Sequence, residues 1–225
     1  MTSERHAILR GLYAISPEMK DTARLVARIE ECLAGGVTLV QYRAKSATPA
    51  LALEQARRIG DACRANGAVL IVNDSVELAV AADADGVHLG RDDMDVVKAR
   101  GALRGRIIGV SCYDEPLRAR AAREAGADYV AIGSIFRSAT KPDAVRASLE
   151  NLTAAKEISR LPLVAIGGIN LDNASLAIAA GADMVAVIEA LFGAPDVRAA
   201  ARSFMRLFED QATAGPHART QPRAV

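Results

Sequence analysis

Short apolar runs recur along the chain, and nearly all stop at a polar or glycine-bearing tip. Val37–Val40 opens into Gln41-Tyr42-Arg43-Ala44-Lys45, Val69–Val72 ends at Asn73-Asp74, and Gly86–Leu89 leads to Gly90-Arg91-Asp92-Asp93. Ile107–Val110 ends at Ser111, Tyr129–Ile132 at Gly133, Leu163–Ile166 at Gly167-Gly168, and Met184–Ile188 at Glu189. Runs of this length without alternation are the mark of strands buried on both faces of a parallel sheet. They predict strands near Gly11–Ile15, Thr38–Arg43, Val69–Asn73, Gly86–Leu89, Ile107–Ser111, Tyr129–Gly133, Leu163–Ile166 and Met184–Ile188.

Helical periodicity fills the gaps. Asp21–Leu33 carries Leu25, Ile29, Cys32 and Leu33 on one stripe, and Pro49–Ala65 starts with Thr48-Pro49, a cap followed by proline at the first helical position. Pro195–Phe208 aligns Val197, Ala201, Phe204, Met205 and Phe208. The segments Ala34-Gly35-Gly36-Val37, Ala84-Asp85-Gly86-Val87, Ala125-Gly126-Ala127-Asp128 and Ala180-Gly181-Ala182-Asp183 echo one another, two βα units apart. In three of them a glycine-bearing turn closes a helical segment and feeds a strand. The α/β pattern with functional tips on most strands predicts a single (β/α)8 TIM barrel spanning residues 1–210. A doubly wound open sheet is the alternative, but no G-x-G-x-x-G follows the first strand. Residues 211–225 are polar and aperiodic and are expected to form a disordered tail.

Composition agrees with this frame. The chain has 225 residues, 51% of them hydrophobic, with no Trp and 4% aromatics, so Val, Ile, Leu and Ala must build the core. A net charge of +1 carries no polyelectrolyte signature, and nucleic acid is not an expected partner. No apolar stretch is long enough to span a membrane, and the N-terminal residues do not resemble a signal peptide. Three cysteines without ligand spacing point to reduced thiols in a cytoplasm, with Cys32 and Cys63 as helix core and Cys112 near a strand tip.

The tips carry the candidate chemistry. Gln41, Arg43 and Lys45 are two apart and share a face in extended chain, so two cations converge on one mouth. An anionic ligand such as a pyrophosphate offsets the cost of bringing them together; a solvated loop is the other reading. Asp74 and Asp93 stand on neighbouring loops and suit Mg2+, with water and phosphate as remaining ligands. Equally, Asp74 fits an N-cap of the helix near Ser75, and Asp92 or Asp93 a cap beyond Met94. In the loop from Ser134 to Val145, Ser138, Thr140 and backbone around Ala139 suit a phosphate, and Lys141 a second anion. Gly168 and the Ile188-Glu189 tip lie where barrels commonly bind phosphate. His88 fits a buried, hydrogen-bonded structural role. The sum is one mouth with two anion sites and a metal: a pyrophosphate near Arg43, Lys45, Lys141 and Mg2+, and a monophosphate near Ser138, Thr140, Gly168 and the eighth strand.

The segments Gln41–Lys45, Val72-Asn73-Asp74, Gly86-Val87-His88-Leu89-Gly90 through Asp93, Gly109-Val110-Ser111, Gly133–Phe136 through Thr140–Asp143 and Ala165–Ile169 together resemble thiamine-phosphate synthases, in that family's order. The resemblance implies a transferase of thiamine biosynthesis acting on two phosphorylated heterocyclic substrates. It would join hydroxymethylpyrimidine diphosphate to a thiazole phosphate, or its carboxylated form, and release pyrophosphate. It implies that Gln41, Arg43, Lys45, Asn73, Ser111 and Lys141 contact the pyrimidine diphosphate. By the same resemblance Arg43, Lys45, Ser111 and Lys141 serve catalysis, Asp74 and Asp93 hold Mg2+, and Ser138, Ala139, Thr140, Gly168, Ile188 and Glu189 surround the thiazole phosphate. Four positions depart from the family: Ser75 where Arg is frequent, Ser138 and Ala139 in Ser138-Ala139-Thr140 for Thr-Pro-Thr, and Glu189 where Ser is common. The rival readings are a thiazole tautomerase of the same superfamily, a Schiff-base aldolase using Lys45 or Lys141, and a non-catalytic phosphate-binding role.

Overall fold

Eight parallel strands close on themselves in the computed structural model, which describes residues 9–137 and 145–213. The strands are β1 (Gly11–Ile15), β2 (Leu39–Tyr42), β3 (Val69–Asn73), β4 (Gly86–Leu89), β5 (Ile107–Tyr113), β6 (Tyr129–Ile132), β7 (Leu163–Ile166) and β8 (Met184–Val187). Each pairs in parallel with the next, and β8 pairs with β1. This is the TIM barrel; the open sheet is excluded by that closure.

The helices between them, among the described residues, are α1 (Thr22–Ala34), α2 (Pro49–Ala65), α3 (Val76–Ala81), α4 (Val96–Ala102), α5 (Pro116–Glu124), α6 (Leu149–Ser159), α7 (Ala174–Ala179), α8 (Glu189–Phe192) and α9 (Val197–Thr213). Their starts follow from local chemistry. Asp21 accepts from Arg24 N–H and so caps α1, and Thr48 accepts from Leu51 N–H ahead of Pro49. Asp196 accepts from Ala199 N–H, which moves the start of α9 past Pro195 to Val197. That helix continues to Thr213, three residues past the expected end of the barrel domain; residues 214–225, most of the expected tail, lie outside the described residues. Among the described residues no helix is long and apolar enough to cross a membrane.

Alternation along each strand separates two cores. Inward-facing Tyr13, Ile15, Leu39, Ile71, Ile107, Tyr129, Ala131, Val164 and Met184 fill the barrel. Outward-facing Leu12, Val40, Leu70, Val87, Ile108, Val130 and Val185 pack under the helices. Cys112 belongs to the outer set, fully buried, with its thiol pushed up to about 12 chiefly by burial. It is therefore core, like Cys32 and Cys63, and it stands near the tip of β5 as expected.

The four sequence echoes lead into β2, β4, β6 and β8, the second overlapping the start of β4. Gly36, Gly126 and Gly181 take positive φ of 96°, 96° and 107°, the backbone state that ends a helix at little cost to glycine. In three echoes the aspartate is a clamp at the barrel's lower end. Asp85, Asp128 and Asp183 accept from the N–H groups of Leu70, Ile108 and Leu163 at 2.8, 2.8 and 2.7 Å. Each thus ties its own strand to the start of the preceding one.

Candidate active site

The carboxyl ends of β2, β3 and β4 bring three of the expected groups into one cluster. Lys45 Nζ lies 3.4 Å from Asp74 Oδ2, and the Asp74 carboxylate in turn faces Asp93. Asp74 sits at φ 66°, a left-handed conformation that a short polar residue tolerates, with its N–H donated to His88 O at 2.8 Å. The Asp93 side chain folds back to accept from Gly90 N–H at 2.6 Å. Its carboxyl is raised above the ordinary value, first by burial and then by the neighbouring Asp74 charge, against the Gly90 hydrogen bond and the Lys45 ammonium.

Neither aspartate is a helix cap. Ser75 caps α3 by accepting from Leu78 N–H at 3.0 Å, and Asp95 caps α4 by accepting from Val97 and Lys98. Capping therefore does not account for Asp74 and Asp93. Two close carboxylates, one resisting ionisation, are a donor set suited to a hard divalent cation that removes their mutual repulsion. Among the described residues no group of three or more such side chains is placed to hold a metal. Other ligands would have to come from water and substrate oxygens.

Arg43 stands half-buried beside this cluster, its guanidinium 3.5 Å from Glu18. Glu18 was not singled out in the sequence. It accepts from Ser46 Oγ at 2.6 Å and Lys45 N–H at 3.2 Å, and these two bonds, more than Arg43, hold its carboxyl below the usual range. Ser16 accepts from Arg43 N–H at 2.9 Å, so β2 leaves its ladder at Tyr42 instead of running to Arg43. As alternation demands, Tyr42 turns outward and bonds Gln55 of α2 at 2.8 Å, while Gln41 points inward to Tyr13 Oη at 2.8 Å.

Across the mouth, Ser111 Oγ meets His88 Nε2 at 2.8 Å, and His88 is buried as expected. The strand expected to end at Ser111 runs on to Tyr113, with a register shift between the two residues. Tyr113 Oη accepts from Arg91 N–H at 3.1 Å, and the Arg91 guanidinium lies 4.8 Å from its ring centre. Asn73 closes β3 in register with His88.

On the far side, Gly168 takes φ 62° and any side chain there would run into the Arg137 backbone. Ile135 and Phe136 N–H groups bond Ile166 O and Gly167 O, each at 3.0 Å, so the β6 loop leaves directly over the β7 tip. Ile188 packs against the barrel's inner core. Glu189 is exposed, and its carboxylate lies along α8 with Oε1 2.7 Å from where a Gly193 side chain would begin. Ser138, Ala139, Thr140 and Lys141 lie outside the described residues.

The family model for thiamine monophosphate synthase matches residues 12–191. The chain belongs to the thiamine monophosphate synthase family. It is 55% identical over 202 residues to a thiamine-phosphate synthase of Aromatoleum aromaticum, covering 89% of this chain and 97% of that one. It is 53% identical over 207 residues to one of Methylobacillus flagellatus, covering 91% and 99%. The thiamine phosphate pyrophosphorylase structure from Pyrococcus furiosus superposes with a TM-score of 0.81 at 38% identity, covering 90% of this chain and 96% of that one. Where the family resemblance leads one to expect an arginine after Asp74, this synthase-family chain has the Ser75 cap, and Lys45 is the cation that meets Asp74.

Proposed function

We propose that the chain is a thiamine-phosphate synthase that joins hydroxymethylpyrimidine diphosphate to a thiazole phosphate, or its carboxylated form, with loss of pyrophosphate. The observation that carries the residue assignment is the contact of Lys45, Asp74 and Asp93 at one rim, with Arg43 and Ser111 on adjoining strand ends. In the step, the C–O bond to the diphosphate breaks and its electron pair leaves with pyrophosphate. The thiazole nitrogen then gives its lone pair to the pyrimidine methylene carbon. Such a step needs charge neutralised on the leaving group, not a strong base. Mg2+ would be held by Asp74 and Asp93 and would supply part of that neutralisation. Arg43 and Lys45 bind the diphosphate oxygens, Lys141 adds a further cation, and Ser111 donates a hydrogen bond. Ser138, Ala139, Thr140, the Gly168 backbone and the Ile188-Glu189 tip seat the thiazole phosphate. Gln41 and Asn73 complete the pyrimidine side.

The direct test combines purified protein, Mg2+ and both phosphorylated heterocycles and follows pyrophosphate. Release that requires both substrates is expected; release with neither dependence, or none, refutes the reading. A Schiff-base aldolase predicts borohydride trapping on Lys45 or Lys141 with a carbonyl substrate; for Lys45, an ammonium engaged by Asp74 does not favour it.

Two further outcomes follow. Glu189→Ser is expected to shift the Michaelis constant for thiazole phosphate by no more than about threefold, because an exposed carboxylate lying along α8 is largely screened. A large gain in affinity would show the carboxylate intruding. The second concerns pH. The raised Asp93 carboxyl is protonated at a pH where an ordinary Asp, near 3.9, is still ionised. Protons therefore compete for the metal site earlier, and the Mg2+ concentration for half-maximal rate should climb as pH falls, starting above that ordinary value. The stability contribution has the opposite sense: it is full below the unfolded value and lost as pH rises through the folded one. A Mg2+ requirement flat across that range would argue against Asp93 as a ligand.

A further inference from the structure

Five polar side chains from five strands form an unbroken hydrogen-bond chain across the barrel interior, directly beneath the mouth. Gln41 Nε2 lies 2.8 Å from Tyr13 Oη, Tyr13 Oη 2.7 Å from Tyr129 Oη, Tyr129 Oη 3.0 Å from His88 Nδ1, and His88 Nε2 2.8 Å from Ser111 Oγ. The rings are held by packing: Tyr13 meets Tyr129 edge-on at 5.8 Å, and His88 stacks on Tyr129 at 5.5 Å. Gly109, in register with Tyr129, leaves the space that ring occupies.

Donor accounting gives the chain a direction. An amide nitrogen only donates, so Tyr13 Oη accepts from Gln41. The single Tyr13 proton then goes to Tyr129, and the Tyr129 proton to His88 Nδ1. That nitrogen must be the unprotonated one, so His88 carries its proton on Nε2 and donates to Ser111 Oγ. The Ser111 proton is left to point into the mouth. With Gln41 Nε2 facing Tyr13, the reverse run leaves the Tyr13 proton without an acceptor in a fully buried site, which is costly; only an amide turned to present Oε1 would admit it, and the protonation of the His88 ring decides between the two. Burial keeps the members neutral: it lowers His88 to about 4 and pushes both tyrosines upward.

We propose that Tyr13, Tyr129 and His88 are positioning residues that fix the polarity of Ser111, so that its hydroxyl always presents a proton to the departing diphosphate. The role rests on the synthase reading of Ser111. A serine free to rotate would also accept from water or turn its lone pairs toward the anion. The chain removes that choice before substrate arrives, so no reorientation is needed as charge develops on the leaving oxygen.

Nitrogen-15 NMR of the imidazoles in the ligand-free protein tests the polarity, with His88 identified by the signal lost in His88→Gln. A neutral ring protonated on Nε2 is expected; protonation on Nδ1 overturns the proposal. Kinetics test the role. Tyr129→Phe should lower kcat for pyrophosphate release about tenfold, with KM for the pyrimidine diphosphate changed less than about twofold. In a Ser111→Ala background the same change should lower kcat no further, because the chain then ends on nothing. Additive losses would mean that Tyr129 acts only through the fold, and would overturn it. Absence of turnover in the unaltered enzyme would refute the synthase reading itself, while the NMR result would still decide the polarity.

Discussion

Asp93→Ala is expected to lower kcat for pyrophosphate release by about 100- to 1,000-fold, the loss typical of removing one preorganised charge-stabilising group. The geometry says why the loss falls on turnover. Asp93 and Asp74 face each other, and Lys45 already neutralises Asp74. Without Asp93, a divalent cation would keep one protein carboxylate and meet an ammonium beside it. The fold should tolerate the change. Asp93 is raised above its ordinary value, first by burial and then by the Asp74 charge, so its charged form is disfavoured where it sits, and its removal offsets the lost hydrogen bond from Gly90, worth about 1 kcal/mol. Asp93→Asn keeps an acceptor for Gly90 N–H while removing the charge, and it should lose activity as severely. Pyrophosphate release at saturating substrates, measured against Mg2+ concentration, checks both variants. A tautomerase needs no diphosphate apparatus and releases no pyrophosphate, so thiazole isomerisation that persists in Asp93→Ala, with no pyrophosphate from either protein, would favour that rival.

The architecture was legible because a buried parallel strand has nowhere to hide its composition. Val69–Asn73, Gly86–Leu89 and Leu163–Ile166 match their apolar runs end to end, and Pro49–Ala65 matches its cap-and-proline start. Boundaries shifted where a side chain, not the ladder, takes the backbone. Arg43 N–H bonds Ser16, and β5 passes through its irregularity to Tyr113. Neither partner is visible from the run itself.

The site divides along the same line. Lys45, Asp74 and Asp93 meet because strand ends of a barrel converge, which follows from the fold once the strands are placed. The competing helix-cap reading of both aspartates was open in the sequence, since Asp, Ser and Asp95 are chemically equivalent as caps. Coordinates choose Ser75 and Asp95. Glu18, Tyr13 and Tyr129 escaped notice for a different reason. Tyr13 and Tyr129 lie 116 residues apart, and each is one apolar letter in an apolar strand. The one available signal was the pair of tyrosines at inward positions of short strands, where a phenol hydroxyl must find a buried partner. The loop with Ser138, Ala139, Thr140 and Lys141 lies outside the described residues, so its roles rest on the sequence and the proposed reaction.

Asp128→Ala, at the opposite end of the barrel, is expected to lower folding stability by about 3 kcal/mol, the low end for breaking a buried ion pair. Asp128 is 6% exposed and does two jobs at once. One carboxylate oxygen accepts from Ile108 N–H at 2.8 Å and meets Arg100 at 2.5 Å. Arg100 also donates to Gly126 O at 2.7 Å and Arg106 O at 2.6 Å, so it cannot swing to water without abandoning the turn before β6. Truncation thus strands a partly buried guanidinium and removes the side-chain acceptor from Ile108. Asp128→Asn can still accept from Ile108 N–H and should cost less, about 1–2 kcal/mol. The contrast is Asp83→Ala: Asp83 pairs with Arg106 at 2.8 Å, but its side chain is 82% exposed, and removing it should cost well under about 1 kcal/mol. Urea midpoints at constant m-value rank the three variants. Because the clamp ties strand starts and the chemistry sits at strand ends, kcat of the folded Asp128→Ala protein should match the parent. Equal midpoints for Asp128→Ala and Asp83→Ala would mean that burial of the clamp contributes nothing beyond a surface ion pair.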